Sequence, residues 1–137
     1  MRRSGVLALS FVSAMGLMVL AAEKPPAEYQ NAMKAIGGAQ MSMRGNIKTK
    51  NYEGLARDAA AMKTAFATVE QWWTARKTDD AVQAARAAVK GASDLEAAAN
   101  ARNDEGIASA QGALGATCMG CHMAHRERLA DGTFEIK

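Results

Sequence analysis

Proline, aromatic residues and cysteine are all scarce in this chain of 137 residues. The two prolines are Pro25 and Pro26, so nothing downstream interrupts a helix. Aromatics make up 5% of the residues, while alanine is abundant, which favours close-packed helices over sheets. No block of like charges is present to make a nucleic-acid patch. The two cysteines fall in a single pentapeptide, Cys118-Met119-Gly120-Cys121-His122, which also holds one of the two histidines. What that pentapeptide does depends on where the chain lives and what carries it.

Residues 1–22 have the three parts of a secretory signal peptide. Arg2 and Arg3 form a basic start, an apolar run extends from about Gly5 to Leu20, and small Ala21 and Ala22 precede Glu23-Lys24. Val19-Leu20-Ala21 and Ala21-Ala22 both offer cleavage points. The run is short for a membrane span, which needs about 20 apolar residues. An uncleaved anchor is the competing reading. Removal of residues 1–22 leaves 115 residues with 15 Lys+Arg against 14 Asp+Glu, so the formal charge falls from +3 to +1. One domain, residues 23–137, is expected, and it is large enough to bury a modest core. Export to an oxidising compartment would ordinarily turn two cysteines into a disulfide.

Four helical stripes follow the prolines. The first helix is expected from about Ala27 to Lys48, with Tyr29, Met33, Ile36, Gln40, Met43 and Ile47 on one face. Gly37-Gly38 weakens its middle, and close approach of a neighbouring helix is one reason to tolerate the pair. The second runs from about Tyr52 to Arg76 through Leu55, Ala59, Met62, Phe66, Val69 and Trp73. The third begins after Thr78, an N-cap candidate with Asp79 and Asp80 in the first turn, and reaches about Ala99 through Val82, Ala85, Val89, Ala92 and Leu95. The fourth begins near Asn103 and carries Ile107, Gln111, Leu114, Cys118, Cys121 and His125. Its end is expected about seven residues beyond His122, ahead of the Asp131–Lys137 tail, where Gly132 and Thr133 favour a stop. Connections of about three to five residues make successive helices antiparallel neighbours. The fold class expected is all-α, an antiparallel up-down-up-down four-helix bundle without strands.

Cys118, Cys121 and His122 are spaced i, i+3, i+4, so on a helix they share one face. C-x-x-C-H is the attachment signature of c-type haem: two thiols bond to two vinyl groups and the imidazole reaches the iron. A thioredoxin-like redox pair needs a βαβ context. A zinc site needs four ligands and would have to recruit His125 from the same helix. A structural disulfide has no need of His122.

Bundle topology then selects what could face the haem. The fourth helix ends where the first begins. His122 lies roughly 10 Å from that end and Met33 roughly 9 Å, at 1.5 Å per residue. Met41 and Met43 lie roughly 12–15 Å further along, and Met62 farther still. Met119, Met123 and His125 share a helix with His122 and cannot reach the opposite face. Met33 is thus the candidate distal residue, either bonded to iron or packed over an open site. Trp73 is expected in the core against the porphyrin edge, and Trp72 at the rim or in a subunit contact. Arg126, one turn past His122, would lie beside the imidazole, offset a haem propionate, or be solvated.

The segments "GATCMGCHMAHR" and "YQNAMKAIGG" resemble the haem helix and first helix of class II c-type cytochromes, the cytochrome c-prime family. The resemblance covers nearly the whole mature chain. It implies a periplasmic four-helix bundle holding one covalent haem c and its iron. The cofactor-binding residues would be Cys118, Cys121, His122, Met33, Arg126 and Trp73, with His122 and Met33 as metal ligands. Some family members are low-spin, methionine-ligated electron carriers; others are high-spin, five-coordinate and bind nitric oxide or carbon monoxide. Many pair as homodimers through their first two helices. The partners implied are a redox protein, a possible second copy and a possible diatomic gas, with neither nucleic acid nor stable membrane insertion. No residue is expected to act as a general acid or base, so the chain reads as a non-enzyme. Departures from the family pattern are Tyr29 where an arginine is common, His125 where an aromatic is common, and the "DGTFEIK" tail.

Overall fold

The computed structural model describes residues 23–137; the expected signal peptide lies outside the described residues. Four long helices dominate: α1 Ala27–Thr49, α2 Tyr52–Arg76, α3 Asp79–Asn100 and α4 Asp104–His125. The all-α four-helix bundle expected from the stripes is the observed architecture. Among the described residues no helix is long and apolar enough to cross a membrane.

The helix limits have local causes. Asn51 and Asn103 cap α2 and α4, each side-chain oxygen accepting from a backbone N–H three residues on, at 3.0 Å. Thr78, expected to do the same for α3, makes no side-chain cap bond. Lys50 and Lys77 adopt left-handed backbone angles and stop α1 and α2, their N–H groups turning back onto the last carbonyls. These stops leave loops of two or three residues, shorter than expected, and successive helices pack side by side.

Packing relies on small residues. Ala59, Ala81, Ala92 and Ala99 are wholly buried around Leu55, Met62, Leu95, Leu114 and Trp73. Gly91 lets α3 approach α4: a methyl there would meet the Leu114 branch carbon at 3.0 Å. Gly37 and Gly38 serve no such purpose, because a methyl at either would meet nothing within 4 Å. The expected helix contact at that pair is absent; both glycines are exposed.

Two stripes are interrupted. On α1, Tyr29, Ala32, Ile36, Ala39 and Met43 are buried, but Met33 and Gln40 are only half-buried. On α4, Ile107, Ala110 and Leu114 are buried and nothing after Leu114 is. Both interruptions face the same seam. α1 packs on α2, α2 on α3 and α3 on α4, whereas α1 and α4 make at most sparse contact.

The chain end departs from expectation. α4 stops at His125, three residues after His122, because Arg126 is extended. Two short strands follow, β1 Arg126–Arg128 and β2 Phe134–Ile136, paired antiparallel. Gly132, at φ 84°, makes the turn between them. Glu23 then pairs with Ile136 through two backbone hydrogen bonds of 2.9 Å, and the Glu23 carboxylate pairs with Arg76. Ile136 is buried. The tail is therefore a clasp joining the end of α4 to the segment that leads into α1.

Substitution of the glycines tests this packing. Gly91→Ala should lower stability by about 1–3 kcal/mol, because Leu114 must shift inside a filled seam. Gly38→Ala should raise it by up to about 1 kcal/mol through helix propensity alone. Urea unfolding of both variants measures the pair; equal effects would contradict the close α3–α4 approach.

Candidate functional site

The half-buried residues of α1 and α4 line a cavity of about 750 Å³ between the two helices. Met33, Gly37 and Gln40 come from α1, and Cys118, Cys121 and His122 from α4. Phe66, Val69, Ala85 and Ala88 form an apolar floor from α2 and α3. The clasp residues Phe134 and Ile136 reach the lining as well. A neighbouring hollow of about 690 Å³ shares Gln40, Cys118, His122, Arg126 and Phe134. At the shared boundary Gln40 Nε2 donates to Cys118 Sγ at 3.6 Å.

The topology thus brings Met33 to the same cavity as Cys118, Cys121 and His122. It does not do so for Trp73. That side chain is core, as expected, but it stands behind the lining rather than in it. Its ring meets Tyr29 edge-on at 6.2 Å and His125 at 4.9 Å, and those two residues reach the cavity. Trp72 is half-buried; its ring lies 4.5 Å from Tyr29 and the Arg76 guanidinium sits 4.4 Å above it. Arg126 is exposed, with its guanidinium 4.0 Å over the Phe134 ring, and it lines both hollows.

Protonation follows from this half-burial. Burial pushes both thiols up from the usual cysteine value; Gln40 partly offsets the effect at Cys118, and the neighbouring Cys118 adds to it at Cys121. Burial pulls the His122 imidazole down, and the Arg126 charge adds to that. The site at neutral pH therefore presents two protonated thiols and a neutral imidazole. Such thiols are poor nucleophiles, which weighs against a redox pair. Both are free. Among the described residues no three His, Cys, Asp or Glu side chains gather as a metal site, so the zinc reading lacks its ligands. His125 is engaged elsewhere, with Nε2 2.9 Å from Asp80 Oδ2.

Tyr29 is the most shifted group beside the cavity. Burial raises its phenol to about 12. The Trp73 indole opposes the shift, although its own buried N–H finds no partner in hydrogen-bond geometry.

Sequence reasoning noticed Gln40 on a stripe without giving it a role. Phe134 and the clasp carried no local signal at all. No family model matches the chain, and no curated protein matches it.

The Tyr29 shift gives an alkaline prediction. Between pH 10 and about 12 the unfolded phenol ionises while the folded one keeps its proton. The folded state then holds more protons, so stability must fall as pH rises through that window, by at most about 3 kcal/mol. Tyr29→Phe should flatten this part of the stability–pH curve, as followed by urea midpoints.

Proposed function

We propose that the chain is an exported c-type haem protein that carries electrons in the periplasm, a class II cytochrome. The observation that supports it is the cavity between α1 and α4, into which one helix brings both thiols and an imidazole and the other a thioether. The residues fit the group. The volume suits a flat ligand of this size, the floor is apolar, and Gly37 leaves open space where a side chain would intrude. The neutral imidazole is the form that coordinates iron.

In this reading Cys118 and Cys121 would hold the haem covalently, and His122 and Met33 would supply the iron's nitrogen and sulfur ligands. When bound, the group supplies a one-electron ferric–ferrous couple. The protein's own contribution is positional. α4 holds His122, and the packing of α4 on α3 fixes where the imidazole stands along the bundle. α1 holds Met33 on the facing wall, and a thioether ligand favours the ferrous state. Phe66, Val69, Ala85 and Ala88 keep water from the floor. Arg126 brings positive charge to the mouth, where it would offset propionate charge. No side chain is required as a general acid or base.

One observation favours a second reading. Met33 is only half-buried, on an unbranched and flexible side chain, with the open space of Gly37 one turn away. In that case Met33 is a movable cover and the site binds nitric oxide or carbon monoxide with His122 alone on the iron.

Optical spectra of the isolated protein, ferric and ferrous, with and without carbon monoxide, distinguish the readings. The expected result is a low-spin spectrum with a methionine–iron band, indifferent to carbon monoxide. A high-spin spectrum that shifts with the gas would transfer the assignment to the second reading. Met33→Ala should convert the first spectrum to the second type and lower the potential. Cys118→Ala together with Cys121→Ala should abolish covalent haem, visible as the unmodified chain mass after denaturation; retention of haem in that variant would overturn the proposal.

A further inference from the structure

The smaller hollow, on the other flank of the Gln40–Cys118 contact, has a composition that haem binding leaves unexplained. Met119, Met123 and Phe134 line it, and they are 65%, 70% and 42% exposed. They are three of the four large hydrophobic side chains that stand most open to solvent among the described residues. Clustered exposed apolar side chains mark a binding surface more often than scattered ones do. Arg44, Arg126 and Arg128 line the same hollow, whereas no aspartate, glutamate or lysine does.

These arginines differ from the others. Seven arginines occur from Glu23 onward. Arg57, Arg76 and Arg86 are held by carboxylates. Arg102 lacks a carboxylate partner among the described residues and lies over the Tyr52 ring, but it stands outside this hollow. Arg44, Arg126 and Arg128 have no carboxylate within ion-pair distance among the described residues, and all three are exposed around one mouth. Arg126 is stacked on Phe134 at 4.0 Å, which holds it in place without neutralising it.

We infer that this groove docks an acidic protein partner, one that presents an apolar residue ringed by carboxylates. Methionine, phenylalanine and arginine are side-chain types enriched at the centres of protein interfaces. Methionine thioethers adapt their shape to an apolar plug. The unpaired guanidinium groups offer forked donors that match carboxylates. The positive field steers an acidic surface to the mouth. This docking stands whether or not the larger cavity takes a haem: where a propionate engages Arg126, Arg44 and Arg128 still line the groove. If it does, the partner rests against the wall formed by His122.

The test uses the full chain as isolated, isotope-labelled, and a synthetic helical peptide with a leucine face flanked by glutamates. Nuclear magnetic resonance shifts should concentrate at Gly115, Met119, Met123 and Phe134, and binding should weaken as salt is added. Arg44→Glu with Arg128→Glu should weaken binding roughly tenfold or more, while the exposed Lys48→Glu, outside the groove, leaves it within about twofold. Circular dichroism of the variants verifies that the bundle is intact. Three outcomes would overturn the inference. The first is equal binding of a peptide with glutamine in place of glutamate. The second is shifts at these residues that grow with protein concentration alone, which would assign the groove to a second copy. The third is preference for phosphatidylglycerol vesicles over the peptide.

Discussion

Alanine and glycine set how closely α2, α3 and α4 approach, and that approach leaves α1 and α4 apart. Gly91 against Leu114 is the tightest example. With α4 drawn onto α3, its remaining face cannot also reach α1. The side chains on that face then become a wall rather than a core. Cys118, Cys121 and His122 are half-buried for this reason, and so is Met33 opposite them. The shifts of the thiols and imidazole share that origin, since partial burial is their first cause.

An open seam is costly for a small bundle, because apolar wall loses the contacts a filled core would provide. The clasp compensates at one end. Two backbone hydrogen bonds tie Glu23 to Ile136, and Lys137 N–H donates to the His125 carbonyl at 3.1 Å. Tyr29, Trp72, Trp73 and His125 form a continuous aromatic layer at the same end, with Asp80 holding the histidine from α3. The seam is thus braced at the end that carries the proposed ligands, and the arginine-lined hollow opens directly beside that brace.

Much of this was legible in the sequence, for identifiable reasons. The second helix was read to its end residues because the spacing from Leu55 to Trp73 never falters. Short loops fixed which helices are neighbours, and both Met33 and His122 line one cavity, although the level inferred for His122 assumed a helix end about four residues too late. What escaped was non-local. His125 to Leu129 contains nothing hostile to a helix, so α4 was drawn too long; the chain leaves the helix because Phe134–Ile136 and Glu23 offer it strand partners. Trp73 sits on a stripe, but a stripe does not say whether a residue meets a cavity or stands behind its lining. The Gly37-Gly38 pair invited a helix contact, and the structure has open space there instead.

The clasp also imposes an order in time. Its second strand lies beyond the pentapeptide in the chain, so it cannot form until those later residues have been made. Ile136 lies eleven residues beyond His125. At roughly 5–20 residues per second, the pentapeptide has emerged for about a second before its brace can exist. During that interval both thiols and the imidazole lie on an unbraced helix, open to whatever must reach them. The tail then ties the end of α4 to the segment that leads into α1.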